Sequence, residues 1–272
     1  MVFSRLRSVA DIGIRSLRME DWALDRVALV TGGARRVGKA IATSLHKTGY
    51  KVIIHCNASR DAANEFAQEL NCQRPETAFV ISGDLSKDVV ETCRRLVKEA
   101  TEKWGRLDLL VNNASLFFLT PLDTATDHQW IQLMDTNVKA PYFLAQAAST
   151  HLHQTKGSIV NMCDIIGEQA SPPLTIYGIS KAALIMATKN LAIELGPDVR
   201  VNYICPGAVM WPEVEKEHHD VSFREEWLSR TPLNAIGTGE NVADAVLFLA
   251  SPSSSYMTGS CIRICGGRSL KL

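Results

Sequence analysis

Several things are missing from this chain, and each absence narrows what it can do. The seven cysteines (Cys56, Cys72, Cys93, Cys163, Cys205, Cys261 and Cys265) are scattered, odd in number and include no CxxC pair. A disulfide framework and a zinc-ribbon spacing are both poorly supported, and reduced thiols in a cytoplasmic protein are the expectation. No apolar run is long enough for a transmembrane helix. The 29 basic residues balance 29 acidic ones, so no net field draws the chain to nucleic acid or to an anionic membrane. Residues 1–24 lack the continuous apolar core of a secretory signal; Arg5, Arg7, Arg15 and Arg18 interrupt Leu6, Val9, Ile12, Ile14 and Leu17. They are expected to be an N-terminal extension before a domain spanning 25–272. An amphipathic arm, a transit-type segment and a start at Met19 stay open. His151-x-His153 has no third ligand nearby and reads as a pair on a helix surface, so no metal is expected.

What is present is 272 residues, 46% hydrophobic and 21% charged, enough for one substantial core. Strand-like and helix-like segments alternate. Strands are expected at 27–30, 51–55, 77–82, 107–111, 157–162, 199–204 and 260–264. Helices are expected at 39–48, 61–70, 89–104, 127–151, 177–195 and 239–250, with Pro141 kinking or breaking the fourth near Ala140. Residues 211–233, charged and bearing His218-His219, are harder to read. The alternation predicts an α/β fold, a Rossmann-type doubly wound domain with a central parallel sheet covered on both faces. In such sheets ligands bind at the carboxyl ends of the strands, and the Gly, Asn and Asp punctuation falls at those ends.

The stretch Thr31-Gly32-Gly33-Ala34-Arg35-Arg36-Val37-Gly38 follows a buried strand and opens a helix. Strand, glycine turn and helix aim backbone N–H groups at an anion, usually a pyrophosphate. Arg35 and Arg36 suit an anion with more charge than a pyrophosphate alone. The second strand ends in His55-Cys56-Asn57-Ala58-Ser59-Arg60, with no acid before Asp61. A carboxylate there would grip the ribose diol of NAD. Its absence, with His55, Asn57, Ser59 and Arg60 as donors, favours NADP. Asp84 is placed either to accept from the adenine amino group or to cap the next helix.

Tyr177 and Lys181 stand four apart, on one helix face. An ammonium beside a phenol favours the phenolate and lowers its pKa, which fits a proton donor working beside a hydride donor. Thr31-Gly32…Gly38, Asn112-Asn113-Ala114-Ser115, Tyr177-x-x-x-Lys181 and Pro206-Gly207 together resemble the short-chain dehydrogenase/reductases over about residues 25 to 272. The resemblance implies a nicotinamide cofactor, Asn137 in a proton relay and a homotetramer. Two departures resemble the pteridine reductases: Arg36 replaces a middle glycine, and Asp164 stands where a catalytic serine is usual. The similarity extends to His55-x-Asn57-x-Ser59, Ser115-Leu116-Phe117 with Thr120-Pro121-Leu122, and Gly259-Ser260-Cys261.

That resemblance implies a pterin or folate-like substrate, stacked by Phe117 and contacted by Ser115. Around the cofactor it places Gly32, Arg35, Arg36, Val37, His55, Asn57, Ser59, Asp84, Leu85, Asn113, Ala114, Ser115, Tyr177, Lys181, Pro206 and Gly207. Around the substrate it places Ser115, Phe117, Asp164, Tyr177, Val209 and Trp211. Asp164, Tyr177, Lys181 and Asn137 form the catalytic set. Val209 and Cys265 differ from that subfamily's usual residues, on the substrate side. A planar aromatic substrate suits Phe117. An ionised Asp164 cannot donate to a ketone oxygen as serine can, but it can support proton delivery to a ring nitrogen. A ketoreductase with a drifted serine site and an NADP-binding sensor without chemistry are the alternatives.

Overall fold

A computed structural model describes residues 22–210, 225 and 227–270. Seven parallel strands form one sheet: β1 Val27–Val30, β2 Lys51–Cys56, β3 Ala78–Ser82, β4 Leu109–Asn112, β5 Ser158–Met162, β6 Arg200–Pro206 and β7 Cys261–Ile264. Their order is β3-β2-β1-β4-β5-β6-β7. The chain steps outward from β1 to β3, then crosses back to place β4 on the other side of β1. The carboxyl ends of β1 and β4 therefore flank the switch point, where a crevice opens.

Alternation along the strands builds two cores. Ala28 and Val30 of β1 pack with α1 (Arg36–Lys47), α2 (Arg60–Gln73) and α7 (Gly239–Ala250). Val27 and Leu29 point the other way, toward α3 (Val89–Trp104), α5 (Ala140–Thr155) and α6 (Thr175–Glu194). Because both faces are covered, β1 is apolar and buried at every position rather than at every second one. Each fully buried Leu or Ile contributes roughly 1.5–3 kcal/mol relative to exposure.

The expected elements are found, with shifts at their ends. α1 opens at Arg36, three residues earlier than expected, directly on the turn after β1. The helix expected over 127–151 is interrupted. α4 (Asp127–Met134) ends in a π-helical turn, Asp135–Lys139, before α5 begins. The Ala140 amide reaches back five residues to the Asp135 carbonyl. Pro141, in the first turn of α5, has no N–H for the carbonyl four residues back, and the wider turn accommodates that loss. Residues 1–21 and 211–224, with Met19, Trp211 and His218-His219, lie outside the described residues. Among the described residues no helix is long and apolar enough to cross a membrane.

Candidate active site

The turn after β1 is tied to the turn after β4. Thr31 Oγ1 donates to the Val111 carbonyl at 3.3 Å and accepts the amides of Asn113 and Ala114 at 2.9 and 3.0 Å. Asn113 Nδ2 returns bonds to the carbonyls of Thr31 and Gly32. Gly32 takes φ +61°, and a Cβ on Gly38 would sit 2.1 Å from the Gly32 oxygen. Both positions thus require glycine, for conformation and for close approach respectively. The N-cap Arg35 places no side-chain bond on the first amides of α1, and no acid lies in its first turn. Those amides and the exposed Arg35 and Arg36 present a positive rim to an anion.

A cleft of about 560 Å³ opens over this turn. Of the residues expected around the cofactor, Gly32, Arg35, Arg36, Val37, His55, Asn57, Asp84, Leu85, Asn113, Ala114 and Ser115 line it. Gly38, Gly83, Ser86, Leu116, Gln132 and Thr136 line it too and were not assigned to the site from sequence. Gln132 and Thr136 stand four apart just before Asn137, a helical spacing that could have marked them. Ser59, Pro206 and Gly207 are not part of its wall. Ser59 is the N-cap of α2, while Pro206 and Gly207 lie at the carboxyl end of β6. Val209 bridges to Gly237 and packs on the core around α7. Trp211 lies outside the described residues.

Side-chain contacts narrow three of the expected roles. His55 is not available as a phosphate donor. It is 2% exposed; its Nδ1 accepts the Gly32 amide at 3.2 Å, and its Nε2 donates to the Gly83 carbonyl at 3.0 Å. Burial lowers its pKa to about 4, so the ring is neutral and braces the turn. The Asn137 side chain is fully engaged in holding its neighbours. Its Oδ1 accepts from Ser115 Oγ and the Leu116 amide, and its Nδ2 donates to the Leu116 carbonyl and Ser180 Oγ. It clamps the loop after β4 to α6. The pKa of Tyr177 shifts upward overall, against the lowering expected from Lys181. Burial, then the Asp164 carboxylate, raise it well above the ordinary phenol value.

Asp84 does not cap α3; its Oδ1 accepts the Ser86 amide and hydroxyl at 2.9 and 2.6 Å. The Ser86 hydroxyl, opposed by burial and helped by Lys87 and Asn57, holds its pKa below the usual range.

The residues expected to be catalytic, Asp164, Tyr177 and Lys181, come together where β5 ends and α6 begins. Tyr177 is the third residue of α6 and is 4% exposed. Its hydroxyl donates to Asp164 Oδ2 at 2.8 Å, while Asp164 Oδ1 accepts the Ile166 amide at 2.9 Å. Burial raises the Asp164 pKa, against the pull of the Ile166 amide, Tyr177 and Lys181. Lys181, also buried, donates from Nζ to the Met162 carbonyl at 2.9 Å. Burial lowers its pKa. Phe117 stands edge-on to Tyr177, with ring centroids 4.8 Å apart and planes at 83°. It is 53% exposed, far more than its aromatic neighbour. The site therefore joins an anion-binding turn, a buried Tyr–Asp–Lys cluster and an exposed aromatic ring.

Comparison with known proteins gives the family. A family model described as Enoyl-(Acyl carrier protein) reductase matches residues 32–269. The chain belongs to the short-chain dehydrogenase/reductase family. Within that family it is 35% identical to "Pteridine reductase 1" of Leishmania tarentolae over 282 residues, covering 90% of this chain and 96% of that protein. It is 30% identical to the 3-oxoacyl-(acyl-carrier-protein) reductase FabG of Staphylococcus epidermidis, covering 90% and 99% of the two chains. It is 32% identical to an uncharacterized oxidoreductase of Thermotoga maritima, covering 89% and 96%. Membership makes the chain an oxidoreductase, and two differently named reductases each match nine-tenths of its length.

Proposed function

We propose that residues 25–272 form an NADPH-dependent reductase of a pterin, of the dihydropterin, dihydrofolate or dihydromonapterin type. The observation that carries this reading is the 2.8 Å hydrogen bond from Tyr177 to Asp164, at a position where a carbonyl reductase gains from a hydroxyl donor. The exposed Phe117 ring beside it supports the same reading, as does the similarity to a pteridine reductase.

The residues present fit a dinucleotide phosphate. Gly38 lets α1 close onto the Gly32 carbonyl, where a Cβ would stand 2.1 Å from that oxygen, and so brings the first amides of α1 over the cleft for a pyrophosphate. Arg35, Arg36 and Asn57 line the cleft, with Asn57 beyond β2 and no carboxylate at that strand's end to repel a 2′-phosphate. When bound, the nicotinamide supplies hydride to a ring carbon of the substrate. Lys181, with one proton on Met162, has two left for the nicotinamide ribose. Tyr177, held protonated by its raised pKa, donates a proton to the ring nitrogen next to the reduced carbon. Asp164 fixes the Tyr177 hydroxyl and, with its own pKa raised, is suited to pass a proton on to it. Phe117 supplies a stacking face, and Ser115, held by Asn137, contacts both ligands. The protein is proposed to work in the cytoplasm as a homotetramer.

The FabG similarity favours a second reading, a short-chain ketoreductase acting on a 3-oxoacyl carbonyl. The deciding experiment is NADPH and NADH oxidation with a dihydropterin and with a 3-oxoacyl thioester, on wild type and Tyr177→Phe. Pterin turnover with NADPH that collapses in Tyr177→Phe is expected. Turnover of the thioester alone gives the second reading, and cofactor binding without turnover of either gives an NADP sensor.

A further inference from the structure

Three thiols from neighbouring strands gather beneath α6, on the side away from the cofactor cleft residues. Cys163 follows β5, Cys205 lies in β6 and Cys261 opens β7. All three belong to or pack on one apolar cluster with Ile165, Leu184 and Tyr203. The Cys163 amide donates to the Ile204 carbonyl at 2.8 Å, which sets Cys163 beside Cys205. The sulfurs of Cys205 and Cys261 and a carboxylate oxygen of Glu168 all lie within 4.8 Å of one another. Glu168 closes the turn that Asp164 opens, and Arg263 grips its carboxylate with two bonds of 2.7 and 2.8 Å. The proposed reaction uses none of these five residues.

Strand register separates the two chemistries a thiol pair could carry. β6 and β7 pair Tyr203 with Cys261 and Cys205 with Arg263, so the two cysteines are offset by two residues. A rise of about 3.3 Å per residue and a strand spacing of about 4.8 Å put their Cα atoms about 8 Å apart. A disulfide needs Cα atoms within about 7 Å. The thiols meet at their tips while their backbones stand too far apart for an S–S bond. A metal ion removes that limit. Zinc takes sulfur at about 2.3 Å and carboxylate oxygen at about 2.0–2.2 Å, so tetrahedral ligands stand about 3.5–3.8 Å apart, a separation that small side-chain shifts reach from atoms already within 4.8 Å of one another.

Charge points the same way. A divalent cation and the Arg263 guanidinium together balance two thiolates and the Glu168 carboxylate. Arg263 then acts as an outer partner that fixes the carboxylate's orientation. We infer that Cys205, Cys261 and Glu168 form a binding site for a thiophilic divalent cation of the zinc class, with Arg263 orienting the carboxylate. The bound ion ties β6 and β7 to the turn that begins at Asp164. The ligands come from three separate parts of the fold, so no spacing motif announces them.

The test uses the reduced full chain, stripped with a chelator and titrated with Co²⁺, then Zn²⁺. Expected are one Co²⁺ per chain, a thiolate-to-cobalt charge-transfer band, release of both thiol protons, and displacement by Zn²⁺ with a rise in melting temperature. Cys205→Ser and Cys261→Ser lose the band, and Cys72→Ser, at an exposed cysteine, keeps it. Cys205 is wholly buried, so circular dichroism checks its fold; Cys261 is half-buried, and Glu168→Gln leaves both thiols in place yet weakens binding. No charge-transfer band in the wild type, or an undiminished band in folded Cys261→Ser, overturns the site.

Discussion

The Tyr177 hydroxyl donates to Asp164 Oδ2 across 2.8 Å, and burial raises the pKa of both groups. Each then keeps its proton more readily than it would in water, and the phenol enters the reaction as an acid. In Tyr177→Phe the ring still packs on Phe117, but the proton source is gone. Turnover with NADPH should fall roughly 10²–10⁴-fold, the usual worth of a positioned acid. The NADPH dissociation constant, read by fluorescence titration, should hardly move, because Lys181 and the glycine turn are untouched.

Asp164 also makes stability depend on pH. Its folded pKa lies above the ordinary carboxylate value of 3.8, so over that window the folded state binds the extra proton. Stability from this group is therefore present at low pH and lost as pH rises through the folded pKa. Asp164→Asn keeps the shape and removes the titration. Its melting temperature relative to wild type should be lowest below pH 3.8 and should climb toward neutral pH, while turnover falls. A constant difference across pH would contradict the raised pKa.

Asn137 acts by holding other residues in place. Its amide makes four hydrogen bonds, to Ser115, to both backbone groups of Leu116 and to Ser180. Asn137→Ala removes the partner of the half-buried Leu116 groups, at about 0.5–1.5 kcal/mol for each bond lost. Urea unfolding should report that loss. Since Phe117 follows directly in the same loop, KM for the pterin should rise more than KM for NADPH.

The fold was largely legible because strand and helix leave different marks. Val27–Val30 and Val89–Trp104 have the bounds their apolar pattern predicts. The break before α5 was readable because Pro141 lacks an N–H. The site was legible as a set of residues and less so as a set of contacts. His55 and Asn57 are both polar and near the end of one strand, yet the first turns inward to brace Gly32 and the second lines the cleft. No pattern in the sequence distinguishes an inward imidazole from an outward one. The Lys181 bond to Met162 depends likewise on how α6 lies across β5, which the sequence does not state.

The neutral His55 predicts acid sensitivity. Its folded pKa, about 4, lies below the ordinary 6.5, so the unfolded chain binds the proton first. Stability should be full above pH 6.5 and decline as pH falls toward 4, by up to about 3 kcal/mol for this group. Protonation would also end its acceptance of the Gly32 amide. His46, buried and lowered to about 4 in the same way, contributes a second slope. In His55→Leu the slope of unfolding free energy against pH should shrink by about half, and the glycine turn should bind NADPH less tightly.

The turn after β1 separates shape from charge in two substitutions. Gly38→Ala places a Cβ 2.1 Å from the Gly32 oxygen and 2.7 Å from Asn113 Nδ2, and both neighbours are fixed. Such overpacking costs about 1–3 kcal/mol or more, and here it moves the amides that face the anion. NADPH and NADH binding should be lost together. Arg36→Gly does the opposite. Arg36 holds φ +50°, a conformation glycine adopts without strain, and its guanidinium reaches the Met210 carbonyl at 2.5 Å. Relief of backbone strain and loss of that bond offset each other, so stability should change by less than about 1 kcal/mol. The charge, however, is gone. A charged hydrogen bond to phosphate is worth about 1.5–3 kcal/mol, so KM for NADPH should rise roughly 10–100-fold with KM for NADH little altered. Equal effects of Arg36→Gly on both cofactors would show that Arg36 does not read the 2′-phosphate.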